Sequence, residues 1–411
     1  MKLSEFLLIV LTGFVASATY AEEDAWNTSW DGALYGYASG TGLKSDSPLN
    51  PDNLIARLPQ YSQTAEARFN LKAENDSLRL TLRPIMLWQQ HSNSFGEQTQ
   101  SETYLSQGQL RWRMAEAWNV AAGREVMNWG PGQFRSPSNP FYFDNGRGNP
   151  IRELSGLDAV KTSWTPDIRH SISLAYIVST GRYEGAVDTW RDTWIFRATK
   201  RGTKWAGGVA VAKKEGQQSF VGTDAQYTLS DAILLYGEAG SSTRLNALQS
   251  SPAAAQPFTV EAESSRHLTE LIGAAYTLEN GQSLTAEYLH QRHGFTSSEE
   301  AAYFERAANT TLPAGAATLG MALVNAPPLL GRDYLHLVWQ NNFLEGDAYW
   351  RLMLTHSFTD GGNQLSGYGE KSFSKRVSGF ALGVLNPGNE RQEFSSLIGS
   401  IATLGIKLVL P

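Results

Sequence analysis

The sequence contains no cysteine in 411 residues, which excludes disulfide scaffolding, thiolate catalysis and cysteine metal sites. Charge is sparse as well: Asp, Glu, Lys and Arg make up 18% of the chain and the net charge is −6. Nothing at whole-chain level marks a nucleic-acid partner or a polybasic membrane patch. A membrane-spanning helix is also missing. The one apolar stretch of suitable length, residues 312–331, carries Pro313, Gly315, Gly320, Pro327 and Pro328, so it reads as part of a long loop. Motifs of hydrolytic chemistry are absent too, with no Gly-x-Ser-x-Gly and no His-Glu-x-x-His. His290 and His293 lie three apart on a strand and so face opposite ways, a poor metal pair. The expectation is a non-enzymatic protein with no cofactor and no metal.

What is present begins with an export signal. Lys2 supplies a basic start, residues 6–15 an apolar run, and Ala16-Ser17-Ala18-Thr19-Tyr20-Ala21 a small-residue cleavage region. Residues 1–21 are therefore expected to be a cleaved secretory signal, leaving 22–411 as one domain. Mean hydropathy is −0.32, yet there are 12 tryptophans and 16 tyrosines. Strands that alternate lipid-facing and lumen-facing residues, flanked by aromatic girdles, give that combination.

The alternation is visible residue by residue. Ala65, Ala67, Phe69 and Leu71 alternate with Glu66, Arg68, Asn70 and Lys72, and Leu78, Leu80, Leu82, Met86 and Trp88 oppose Arg79, Thr81 and Arg83. Such runs reach the roughly 9–11 residues that a tilted strand needs to cross hydrocarbon. Similar runs recur at 30–38, 103–114, 117–128, 157–166, 169–180, 190–200, 204–214, 217–229, 232–244, 267–280, 283–293, 331–345, 347–359, 362–373, 376–386 and 395–411. The count is 18 strands. Short turns such as Thr165-Pro166-Asp167 and Glu279-Asn280-Gly281 alternate with connections that include long ones near 39–61, 91–102, 129–156, 245–266 and 294–330. The prediction is an all-β, transmembrane antiparallel barrel in the bacterial outer membrane, both termini periplasmic and the long loops outside. Membrane lipid and the outer-membrane assembly machinery are the expected partners. The last run, Ala402 to Leu410, resembles the terminal assembly signal of such proteins, with Pro411 in place of an aromatic residue.

The predicted lumen face is basic. Arg68, Lys72, Arg79, Arg83, Arg111 and Arg113 fall on it, with Arg197 and Arg351 elsewhere, against Glu66, Glu238 and Glu287. A guanidinium ladder aligns carboxylates, sulfates or phosphates by paired hydrogen bonds; alternatively, the same arginines pair with neighbouring acids and stiffen the wall. The third long loop, rich in Gly, Pro and aromatics, is expected to be ordered and to fold inward, placing Arg135, Asp144, Arg147, Arg152 and Glu153 near a constriction. In the seventh outer connection, 294–330, Ser297 to Arg306 reads as a short helix with early acids.

Gly123-Arg124, then Trp129-Gly130-Pro131-Gly132, then Asn149-Pro150, together resemble the central stretch of the Wzi capsule-assembly family, over residues 117–213. The resemblance implies an outer-membrane barrel that holds capsular polysaccharide at the surface. The first expectation is thus a barrel that binds or conducts an anionic polysaccharide, and the second a porin-like channel for small polar or anionic solutes.

Overall fold

The computed structural model describes residues 26–183, 190–214, 219–243, 247–249, 258–262, 265–342 and 346–410. The expected signal, 1–21, lies outside them. The strands in chain order are β1 (Asn27–Leu43), β2 (Tyr61–Glu74), β3 (Leu78–Asn93), β4 (Gly96–Ala115), β5 (Trp118–Glu125), β6 (Leu157–Asp167), β7 (His170–Ser179), β8 (Thr193–Arg201), β9 (Trp205–Lys214) and β10 (Ser219–Thr228). They continue as β11 (Ile233–Ser242), β12 (Ala247–Gln249), β13 (Thr259–Glu261), β14 (His267–Thr277), β15 (Ser283–Gln291), β16 (Asp333–Gln340), β17 (Ala348–Ser357), β18 (Asn363–Ser372), β19 (Val377–Leu385) and β20 (Ile398–Leu410).

All but β12 and β13 form one 18-stranded antiparallel sheet, which β1 closes by pairing with β20 as well as β2. Closure leaves no sheet edge to lipid, the condition for strands in a bilayer. Gly32 pairs with Leu410, so the barrel begins and ends at the same rim, the one that bears the short turns. The outward rows are apolar at mid-height, where Phe196, Leu235, Ile272, Leu337 and Leu404 are exposed. Trp112, Trp118, Trp164, Trp205 and Trp339 form an exposed belt near the short-turn rim, and Trp88 and Trp194 lie near the other. An apolar band between two aromatic belts is the surface of a membrane-spanning barrel.

Three connections depart from expectation. Residues 91–102 are largely strand rather than a long loop: β3 and β4 run for 16 and 20 residues and project past their neighbours to a tight turn at Ser94-Phe95. The 245–266 connection carries the small β12–β13 hairpin. Residues 312–331 are not loop throughout, because a ten-residue helix, α2 (Ala316–Asn325), forms between Pro313 and Pro327. The prolines bound the helix rather than break it. The one expected helix is α1 (Ser297–Ala308), started by a capping box in which Thr296 and Glu299 exchange side-chain and backbone bonds. Among the described residues, no helix is long and apolar enough to cross a membrane.

The two helices close over the barrel mouth. Tyr303, Phe304 and Ala307 of α1 and Leu319 and Ala322 of α2 pack with Leu49 from the β1–β2 loop and with Leu248 and Phe258 from the β11–β14 connection. Those connections rise from opposite sides of the ring, so this apolar core forms a roof across the long-loop end.

Candidate constriction and basic wall

The third long loop, 126–156, folds into the lumen, and two inward glutamates hold it. Four donors converge on buried Glu238 of β11: the Gly132 amide at 2.6 Å, the Ser136 hydroxyl at 2.7 Å, and the Ser138 hydroxyl and amide at 2.7 and 3.2 Å. Glu287 of β15 accepts the amides of Gln133 and Phe134 at 2.6 and 2.7 Å and the Tyr236 hydroxyl. Glu238 and Glu287 therefore do not balance the arginine ladder; they anchor the loop's backbone amides, which would otherwise be buried without partners.

The loop sequence follows from this close approach. Gly130 has φ +92° and a Cβ there would lie 2.5 Å from both Glu238 oxygens. On the wall, a Cβ at Gly240 would meet the Pro137 carbonyl oxygen at 1.9 Å, so this inward strand position must stay empty for the loop to lie flat. The Trp129 indole donates to the Ser138 carbonyl at 2.9 Å and stacks under the Arg197 guanidinium, itself paired with Asp224 at 2.9 Å. Pro131 and Gly132 present carbonyls to Arg147, which also reaches Gly130, so Arg147 is consumed as an internal clamp of the loop.

The far end of the loop reaches the other wall. Arg68 of β2 donates to the Ile151 carbonyl at 2.6 Å and pairs with Glu66, while Glu153 accepts from Ser106 of β4 at 2.9 Å. Ile151 itself packs on Tyr368 and Phe380 of β18 and β19. Because β2 and β11 face each other across the ring, the loop spans the lumen. Arg135 stacks on Phe134, which stacks on His336 at 4.9 Å, and Asp144 lies 4.0 Å from Arg135 and 2.5 Å from Arg152. Burial pushes the Asp144 carboxyl up, but the guanidinium groups of Arg135 and Arg152 and the Gly146 amide outweigh it and hold it below the ordinary carboxylate range. Arg351 reaches Gln133 of the loop at 3.3 Å.

Toward the short turns, the wall of β2–β4 stays uncovered. Lys72, Arg79 and Arg113 are exposed there, and Arg79, Arg111 and Arg113 line a cavity of about 470 Å³ at the rim together with Glu74, Asp76 and Glu116. Arg79 pairs with Glu74 at 2.5 Å. Among the described residues, Arg83 and Arg111 donate to the side-chain amide oxygens of Asn70 and Gln109, at 3.3 and 3.4 Å. Among the described residues no carboxylate comes within ion-pair reach of Arg83, Arg111 or Arg113. The ladder therefore divides: Arg68, Arg79 and Arg197 stiffen the wall through acids, and Arg83, Arg111 and Arg113 do not. Arg124 lies elsewhere, in the outward row of Leu82 and Gly108, bonded twice to Asp158 at 2.7 and 2.8 Å.

Many solved structures resemble this barrel. OccK11 (OpdR) of Pseudomonas aeruginosa aligns over 93% of this chain and 96% of its own, with TM-score 0.55 and 10% identity. OprD of the same organism aligns over 93% and 95%, with TM-score 0.52 and 10% identity. The likeness is one of fold. A Rhodopseudomonas blastica porin triple mutant also aligns, over 93% of this chain and all of its own, with 10% identity, but its TM-score of 0.47 is too low to argue from. No family model matches the sequence, and no curated relative matches it.

Ser106, Ser136, Ser138, Tyr236 and His336 were invisible to sequence reasoning. The available signal was glycine at inward strand positions, Gly222 and Gly240, where a barrel wall otherwise carries side chains.

Proposed function

We propose that this protein is a bacterial outer-membrane channel for small polar solutes, with a preference for anions, its long loops outside and its short turns in the periplasm. The observation that carries the reading is the unneutralised arginine patch beside an in-folded loop. Arg79 stands directly opposite Arg111 on β3 and β4 but is paired with Glu74, so Arg83, Arg111 and Arg113 are the guanidinium groups without an ion-pair partner among the described residues. An anion passing them meets that positive charge. Guanidinium groups stay charged at any physiological pH, and a narrow lumen with low-dielectric walls concentrates the counter-charge they attract. The loop sets the size limit.

The likeness of Trp129–Gly132 to the capsule-assembly family keeps an acidic polysaccharide as the competing occupant of the same arginines. Single-channel conductance of the purified barrel in a planar bilayer separates the two. Steady current blocked by small organic anions, and unaffected by acidic oligosaccharide, supports the solute channel. Block by the oligosaccharide alone supports polymer handling, and no steady current at all sinks the channel reading.

A further inference from the structure

One buried carboxylate takes no part in the constriction. Glu300 on α1 is 2% exposed, and neither of its side-chain oxygens has a hydrogen-bond donor within reach among the described residues. The same helix places Tyr303, Phe304 and Ala307 in the apolar roof, so Glu300 cannot turn to water without undoing that packing. It faces two more acids, each from a different loop: Asp360 between β17 and β18, and Glu393 between β19 and β20.

Those two acids are already supplied with donors. Asp360 accepts the amides of Gly362 and Glu393 at 2.8 and 2.6 Å, and Glu393 accepts the Leu330 amide at 2.9 Å and the Tyr334 hydroxyl. Tyr303 from α1 and Tyr334 from β16 complete the surroundings. Of the nearby cations, Arg332 is directed to Glu299 at 3.6 Å, and Arg135, which acts on Glu393, pairs with Asp144 at 4.0 Å; neither pairs with Glu300. Glu300 is itself shut off from water and has two partly exposed carboxylates beside it, so its charged form is disfavoured and it carries a proton.

We propose that a proton on Glu300, donated to Asp360, latches α1 to the β17–β18 and β19–β20 loops, and that its loss at alkaline pH frees the helix and opens the roof over the long-loop mouth. Burial, then the charges of Asp360 and Glu393, pushes the Glu300 carboxyl up to about 9, and burial chiefly pushes Glu393 to about 7. The sign follows from linkage. A carboxyl whose packed-state value is raised stabilises packing while protonated; its contribution is full below the ordinary value of about 4.3, falls as pH rises, and is gone above about 9. The latch does not depend on which solute uses the lumen.

The absence of cysteine makes the test direct. A nitroxide on Ala301→Cys, an exposed position of α1, reports helix mobility in the full-length protein in lipid bilayers. The label should be immobilised at pH 6 and become mobile as the pH passes about 9, while in Glu300→Gln that transition disappears. A parent label indifferent to pH, or the same transition in Glu300→Gln, overturns the latch. Should Glu300→Gln not assemble, Asp360→Asn decides: removing the neighbouring charge must move the transition to lower pH, and an unmoved midpoint contradicts the proposal.

Discussion

At the scale of single residues, Glu238 and Glu287, which sequence reasoning set against the arginines, anchor the third loop instead. Both point inward and accept from a loop more than a hundred positions away in sequence. Replacing Glu238 by Ala strips partners from Gly132, Ser136 and Ser138, at roughly 1.5–3 kcal/mol for each bond to a charged group. The loop should leave the wall, so single-channel current should become larger and noisier, while the barrel keeps its folded mobility in unheated SDS gels. Gly240→Ala tests the same contact without touching a charge, since the new methyl would sit 1.9 Å from the Pro137 carbonyl oxygen. It should shift conductance in the same direction. If both variants conduct like the parent, the loop is not the constriction.

At the scale of elements, the strands were legible because each of the two rows has a single chemistry. Lipid demands apolar side chains outside and the lumen tolerates polar ones inside, so Ala65 to Lys72 reads directly as a strand. That signal vanishes where β3 and β4 leave the bilayer: Gln89 to Asn93 and Glu97 to Glu102 are polar on both faces, and their strand character was invisible for that reason. α2 was hidden differently, because Pro313 and Pro327 lie just outside its ten residues. The loop's inward fold was anticipated from its length between membrane strands, whereas its anchors were not, since the contacts are long-range and backbone-directed. The lipid-facing rows carry their own prediction. Ile272, 64% exposed at the middle of β14, should cost roughly 2–4 kcal/mol when replaced by Arg. Urea unfolding in lipid vesicles checks this, and an unchanged midpoint would place Ile272 outside the bilayer.

At the scale of the whole molecule, a chain with net charge −6 presents a basic strip inside a closed ring, so overall charge says little about what the lumen selects. The ring gives rigidity, the in-folded loop narrows it, the helical roof covers one mouth, and Arg83, Arg111 and Arg113 leave positive charge uncompensated near the other. The measurement that bears most directly on this account is the reversal potential of the purified barrel in a planar bilayer under a potassium chloride gradient. The parent should be anion-selective, and replacing Arg83, Arg111 and Arg113 together by Gln should move the reversal potential toward cation preference. A cation-selective parent, or a triple variant with unchanged selectivity, would contradict the account.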